Sequence, residues 1–417
     1  MAKAIVVGGG IIGLSSALYL KRSGWDVIVL DKGDFNDNCS YGNCGYICPS
    51  HFIPLATPGI VKKGLKWMWN SKSPFYVQPR LDWDLISWAL KFMRIATPKH
   101  VTDSAIPLRD IALLSQHEYE SWLQAPGFDF AYEHKGLLEI FQTDEGGEHA
   151  KHTCEKAHEL GLTDTVMLSI EELRQLEPQT TIKAKGAMWF KCDAHCYPDK
   201  LMKNLISYLR TNGVQLITNA EVTAFERSNG KITKVISSNT DYEADEIIIA
   251  SGSWSRQTAA LMDLKIPLMP GRGYSVTLEN SPYKINYPSV LIEGRVALTP
   301  MNGNKIRFGG TMEITSHKTP PRMNRVQGIL DAVKKYYTEF DVPFPAKENI
   351  WYGYRPCSAD GLPYIGRIKK YNNVTIATGH SMLGLSLGAG TGKLVDEIIN
   401  RRSTSMDIRP FKVERFN

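Results

Sequence analysis

Residues 4–13 read AIVVGGGIIG, and the fold turns on how they are read. Residues 4–7 form a short unbroken apolar run, the pattern of a parallel strand buried on both faces. Gly8, Gly10 and Gly13 follow as G-x-G-x-x-G, with Ile12 inside the motif. Gly8 allows the tight turn, Gly10 lets the backbone approach a pyrophosphate, and Gly13 lets a helix pack closely on its strand. Residues 14–23 read as that helix, with Gly24 at its C-terminal end, and residues 25–30 as a second apolar strand ending at Asp31. The helix N-terminus would present free N–H groups to phosphates. Asp31, followed by Lys32, would accept hydrogen bonds from a ribose hydroxyl. A lone glycine motif is weak, but here strand, turn, helix, strand and acid occur in the required order. An acid at this point speaks against a 2′-phosphate, and so against NADP, while leaving FAD and NAD open.

The chain has 417 residues, long for one core, so two domains are expected. With 43% hydrophobic and 22% charged residues it reads as a globular protein, and its formal charge of +6 is modest and scattered. No block of like charge suggests a nucleic-acid arm, although a weak basic face toward anionic lipid stays open. No stretch approaches the roughly 20 apolar residues of a membrane span, and the N-terminus lacks a signal-peptide pattern. A reducing cytoplasmic setting is expected, with peripheral contact to the inner membrane left open.

Between Pro49 and Cys192 the rhythm changes. Helices are expected near 84–96, 105–124 and 146–160, and the aromatic stretch 66–69 reads as a core helix or an interfacial element. From Pro198 the first rhythm returns, with a helix at 199–212 and a strand at 214–217. A meander is expected over 221–227, 231–237 and 241–244, and a buried strand at 247–250. Residues 265–351 alternate as strands, interrupted by a helix at about 323–339. A strand at 373–379 leads into a glycine-rich helix reaching Arg401. Within it, residues 388–393 fail the P-loop pattern, because Leu387 and Leu394 stand where Gly and Ser or Thr are required.

Three of the seven cysteines, Cys39, Cys44 and Cys48, fall in ten residues with C-x4-C-x3-C spacing. This is one residue away from a plant-type iron–sulfur run. A metal centre using these and Cys192, His195 and Cys196 is therefore a rival reading, though the second group has no recognised ligand pattern and no metal is assigned.

Residues 251–254 (SGSW), 271–275 (GRGYS), 306–313 (IRFGGTME), 351–366 (WYGYRPCSADGLPYIG) and 379–384 (GHSMLG) together resemble the FAD-dependent D-amino-acid oxidase and glycine oxidase superfamily. The likeness runs nearly end to end, and its nearest branch looks like the bacterial D-amino-acid dehydrogenases. It implies an α/β plus α+β fold: a discontinuous Rossmann-like FAD-binding domain (1–50, 193–258 and 352–417) and a substrate domain on a mostly antiparallel sheet (51–192 and 259–351). It implies non-covalent FAD, since the covalent flavin cysteine of sarcosine oxidases would fall near Gly353, not Cys357. The implied cofactor contacts are Gly8, Gly10, Ile12, Gly13, Asp31 and Lys32, then Ser40, Asn43, Cys44 and Gly45, with the Val222 backbone at the adenine. Gly252, Ser253 and Trp254 would run along the cofactor. Gly379 and the turn Met382, Leu383, Gly384, Leu385 and Ser386 would lie at the pyrimidine end of the flavin.

Arg355 is the implied holder of a substrate carboxylate, with Tyr274 and His380 as further substrate or flavin contacts. The implied activity is oxidative deamination of D-amino acids to 2-oxo acids, a catabolic dehydrogenase reaction passing electrons to a quinone or other respiratory acceptor. A D-proline or D-hydroxyproline dehydrogenase, a glycine or sarcosine oxidase, and a flavin subunit of a larger dehydrogenase are the alternatives. Glycine oxidases carry a second arginine where this chain has Met382, which counts against that reading.

Overall fold

The computed structural model describes residues 1–59, Gly64 and 70–416; the stretch 66–69 lies outside the described residues. The strand Lys3–Val7 sits inside a six-stranded sheet. In order, its strands are Tyr364–Arg367, Val374–Thr378, Glu246–Ile249, Lys3–Val7, Asp26–Leu30 and Gln215–Ile217. All neighbours are parallel except the first pair. Its apolar runs serve two cores at once. Ala4, Val6, Val27 and Val29 pack under the helices, while Ile5, Val7, Ile28 and Leu30 pack under the other face. That is the period-two division expected of a strand buried on both sides. The helices Ile11–Arg22, Pro198–Thr211 and Gly388–Ile399 cover the first face, and the antiparallel meander Val222–Ser228, Lys231–Ser237 and Asp241–Glu243 helps cover the second.

The glycines at 388–392 are explained by this packing. A Cβ at Gly392 would lie 2.6 Å from the Ser15 backbone, and one at Gly390 would lie 2.9 Å from the Ser115 nitrogen. The helix Gly388–Ile399 is thus pressed against two others, Ile11–Arg22 and Pro98–Trp122. The latter comes from the middle of the chain but buries Tyr119 and Trp122 in the core under the first sheet.

A nine-stranded, mostly antiparallel sheet makes the second layer. Its path runs Ile350–Ser358, Leu268–Leu278, Lys305–Ile314, Val296–Met301, Ser289–Leu291, Leu137–Phe141, Gly186–Phe190 and Thr165–Ser169, with Phe75–Val77 beside Lys305–Ile314. The strand Ile350–Ser358 belongs wholly to this sheet, so a boundary at residue 352 runs through it. The helix Met323–Tyr336 packs on the same sheet. Beneath it, Glu313 joins two arginines in a fully buried cluster. Its Oε2 accepts from Arg272 Nε (2.9 Å) and Nη2 (2.8 Å), and its Oε1 accepts from Arg325 Nε (3.3 Å). No described helix is long and apolar enough to cross a membrane.

Candidate active site

A cavity of about 1210 Å³ runs between the two sheets. Its lining includes Gly8, Gly10, Ile12, Asp31, Lys32 and Val222, also Ser40, Asn43, Cys44, Gly252 and Trp254, and the turn 382–386. Gly8 has φ 116°, and a Cβ there would sit 2.5 Å from the Ala250 carbonyl oxygen. Gly10 is open, with Ser40 Oγ the nearest atom to a built Cβ at 3.8 Å. The helix Ile11–Arg22 has no side-chain cap at Gly10. Its Ile11 nitrogen donates to Ser40 Oγ (3.2 Å), and a helix N-terminus beside an open glycine, facing a cavity, fits a pyrophosphate. Gly13, Gly45 and Gly379 do not line the cavity. Each permits close packing instead: a Cβ would lie 1.8 Å from the Gly8 oxygen, 2.1 Å from the Cys196 oxygen and 2.8 Å from the Tyr364 ring, respectively.

Asp31 stands where the motif places it, and its two oxygens accept from the Gly9 nitrogen (2.6 Å) and the Gly33 nitrogen (2.7 Å). Lys32 reaches over the Trp254 ring at 3.5 Å, and Trp254 stacks on His317 with centroids 4.4 Å apart. His317 shares a hydrogen bond with Ser253 Oγ (2.9 Å). Burial, with Lys32 and Arg256 nearby, pulls its pKa down to about 4, so it is neutral at pH 7. Sequence reading missed His317, because no local motif announces a loop residue that packs across two sheets.

The loop 39–48 lies on the large sheet. A row in register across it, Trp351, Ser275, Gly309, Ala297, Val290 and Glu139, lines the cavity. Ser275 Oγ donates to the Gly42 carbonyl (2.9 Å), and Thr299 Oγ1 to the Cys44 carbonyl (2.7 Å). Arg307 Nη1 donates to the carbonyls of Tyr41 (2.9 Å) and Asn43 (2.7 Å). A Cβ on Gly309 would lie 2.3 Å from Cys44 Sγ, so a glycine there makes room for the thiol. Burial pushes the Cys39, Cys44 and Cys48 thiols up, away from thiolate. All seven cysteines are free. Cys48, His51 and Asp193 do bring three potential ligand atoms within 4.8 Å of one another. Asp193, however, is already held by the Ser50 nitrogen (3.1 Å) and Ser50 Oγ (2.5 Å).

Arg355 lines the cavity from the strand Ile350–Ser358. Its guanidinium donates to the Thr311 carbonyl, and no carboxylate pairs with it among the described residues. Desolvation lowers its pKa from the usual arginine value. Gly273 provides its berth, since a Cβ there would lie 2.3 Å from Arg355 Cζ. Gly273→Ala should therefore displace the guanidinium and raise KM at least about tenfold, given the sensitivity of bound geometry to ångström shifts. Steady-state kinetics beside an unchanged cofactor absorbance check this.

The other two expected substrate or flavin contacts, Tyr274 and His380, also line the cavity, with polar atoms engaged elsewhere. Tyr274 lines the cavity, but its hydroxyl donates to Glu313 Oε2 (2.7 Å) and accepts from the Arg322 nitrogen (2.8 Å), which commits it to the buried cluster. His380 is buried, with Nε2 on Thr391 Oγ1 (3.0 Å), and burial drops its pKa to about 3. It stays neutral through the physiological range. In the turn that follows, Ser386 Oγ accepts from the Cys48 nitrogen (2.9 Å) and the Leu385 carbonyl accepts from Tyr119 (2.6 Å). Met382, Leu383 and Gly384 complete that wall.

Glu139 was not singled out by sequence. It faces the cavity near Asp193, and burial raises its carboxyl to about 7 and that of Asp193 to about 6. An acid with a raised folded-state pKa favours folding below its ordinary range and loses that contribution as pH rises through the folded value. For Glu139 the window runs from about 4.5 to about 7. Glu139→Gln should flatten the fall in stability across that window, as read from urea midpoints at pH 5 and pH 8.

Residues 3–398 match the family described as FAD dependent oxidoreductase. A D-amino acid dehydrogenase of Helicobacter pylori is 30% identical over 396 residues, covering 94% of this chain and 93% of its own. One from Granulibacter bethesdensis is 26% identical over 433 residues, covering 99% of each. Among solved structures, glycine oxidase from Geobacillus kaustophilus superposes with a TM-score of 0.78 at 21% identity, covering 100% of this chain and 99% of its own. L-proline dehydrogenase from P. horikoshii gives 0.76 at 19% identity, covering 100% and 97%. With a motif, a cavity and a match that spans nearly its whole length, the chain belongs to the FAD-dependent oxidoreductase family.

Proposed function

We propose that this oxidoreductase is a D-amino-acid dehydrogenase, releasing a 2-oxo acid and ammonia and passing electrons to a respiratory acceptor. The observation that carries the reading is Arg355, a desolvated guanidinium on the cavity wall with no carboxylate partner among the described residues. Such a group is matched to an amino acid's carboxylate through two parallel hydrogen bonds. The Thr311 carbonyl holds one Nη1, and the missing side chain at Gly273 leaves the guanidinium its place. Holding the carboxylate there fixes the α-carbon and its hydrogen relative to the wall formed by 382–386. When bound, FAD supplies the two-electron acceptor for the α-hydrogen leaving as hydride.

Gly8, Gly10 and the helix end at Ile11 would hold its pyrophosphate, Asp31 and Lys32 the ribose region, and Val222 the adenine side. Backbone groups of 382–386 would face the pyrimidine end. Met382 on the cavity wall adds no cation there, which supports an α-substituted amino acid over glycine. We assign the cofactor domain to 1–50, 193–258 and 359–417 and the substrate domain to 51–192 and 259–358, which shifts the expected boundary at 352 so that the strand Ile350–Ser358 stays whole.

The test is anaerobic bleaching of the bound flavin with a panel of D- and L-amino acids, followed by reoxidation in air or by a soluble quinone. Bleaching by D-amino acids with slow reoxidation in air supports a dehydrogenase. Bleaching by no D-amino or imino acid would overturn the reading.

A further inference from the structure

The helix Trp83–Ile95 has two apolar faces. Leu85, Trp88 and Phe92 form the inward one, with Trp88 Nε1 donating to the Cys357 carbonyl (3.0 Å). Trp83, Ile86, Leu90 and Met93, at spacings of three, four and three, form the outward one. They are 84%, 37%, 58% and 48% exposed, and Leu81 just ahead is fully exposed. Single exposed apolar residues are ordinary, whereas a continuous stripe of four marks a contact surface.

The charges around the stripe have one sign. At about 100° per residue, Arg94 falls about 20° beyond Trp83, at the stripe's edge, and Lys91 about 60° farther round on the same side. Neither has an ion-pair partner among the described residues, Lys91 reaching only Ser87 Oγ at 3.4 Å. The helix's one acid, Asp84, is paired with Arg256. Asp82 caps the helix through the nitrogens of Asp84 and Leu85 and is paired with Arg80 at 3.0 Å. A second copy docking face to face would bring Arg94 and Lys91 of both chains together with no acid to answer them. An anionic lipid surface answers both halves of the pattern: the hydrocarbon enters the acyl boundary, and the cations meet headgroup phosphates. Trp83 suits the interfacial level.

We propose that the outward face of the helix Trp83–Ile95 docks the enzyme on an anionic membrane surface, lying in the headgroup plane without spanning it. The inference is independent of which amine is oxidised. The holoenzyme should co-sediment with vesicles of phosphatidylcholine containing 30% phosphatidylglycerol at least about tenfold better than with pure phosphatidylcholine, and less well as salt rises. Leu90→Glu should lose that binding about tenfold or more, and Arg94→Glu should abolish the preference for anionic vesicles. Both should keep the wild-type flavin spectrum and unfolding midpoint, because both side chains stand in solvent. Equal sedimentation with both vesicle types would overturn the proposal, as would undiminished binding by Leu90→Glu. A salt-resistant dimer dispersed by Leu90→Glu would overturn it too, by giving the face to a second copy.

Discussion

Replacing Arg355 with methionine should lower kcat/KM for amino-acid oxidation about a thousandfold while leaving flavin content unchanged. Removing one partner of a desolvated, hydrogen-bonded charge pair typically costs about 2–5 kcal/mol, and each 1.4 kcal/mol is roughly a factor of ten. A methionine of similar length fills the berth beside Gly273, so a packing loss is small. Arg355→Lys should recover only part of the activity, because an ammonium cannot give the paired, planar contact of a guanidinium. Stopped-flow flavin reduction over a range of substrate concentration separates the outcomes. A lost carboxylate anchor weakens binding and slows reduction together. A purely structural arginine would instead lower the unfolding midpoint and leave reduction intact.

Glu313→Gln should produce the largest loss of stability of any single substitution considered. The carboxylate lies between Arg272 and Arg325, and all three side chains are about 1% exposed. Tyr274 adds a fourth hydrogen bond. Breaking such a cluster from one side leaves uncompensated buried charge, at a cost of about 3–5 kcal/mol, against the roughly 5–15 kcal/mol that holds a domain folded. Urea unfolding of the holoenzyme checks this. Because the cluster lies beneath the helix Met323–Tyr336, rate constants of the molecules that remain folded should change far less than the midpoint.

Much of the first sheet was legible because its signals are local. The run at 4–7, the glycines and Asp31 fall within thirty residues, and the strands at 25–30 and 247–250 appear within one residue of their expected bounds at Asp26–Leu30 and Glu246–Ile249. The helices near 84–96 and 146–160 appear as Trp83–Ile95 and Asp144–Glu159. The meander at 221–244 follows its turn residues. What escaped was non-local. Glu313 finds Arg272 and Arg325 only once strands Leu268–Leu278 and Lys305–Ile314 pair and the helix Met323–Tyr336 folds over them. Tyr274, expected as a substrate or flavin contact, lines the cavity, but no local signal announces that its hydroxyl donates to Glu313. Glu139 sits in an apolar strand, LLEIF, that reads as core until its register with Val290 and Ala297 opens it onto the cavity. The packing of helix Pro98–Trp122 on the first sheet's helices escaped for the same reason.

The loop 39–48 is fastened at one end to the Rossmann-like unit, where Ser40 Oγ accepts from the Ile11 nitrogen. Across its middle it is fastened to the large sheet by Ser275, Thr299 and Arg307. It therefore acts as a tie-rod rather than a flap. Effort to retarget the enzyme by enlarging Ala297 or Gly309 would push on the same strut that is proposed to seat the cofactor. Gains in substrate range at that wall should be bought with looser flavin retention.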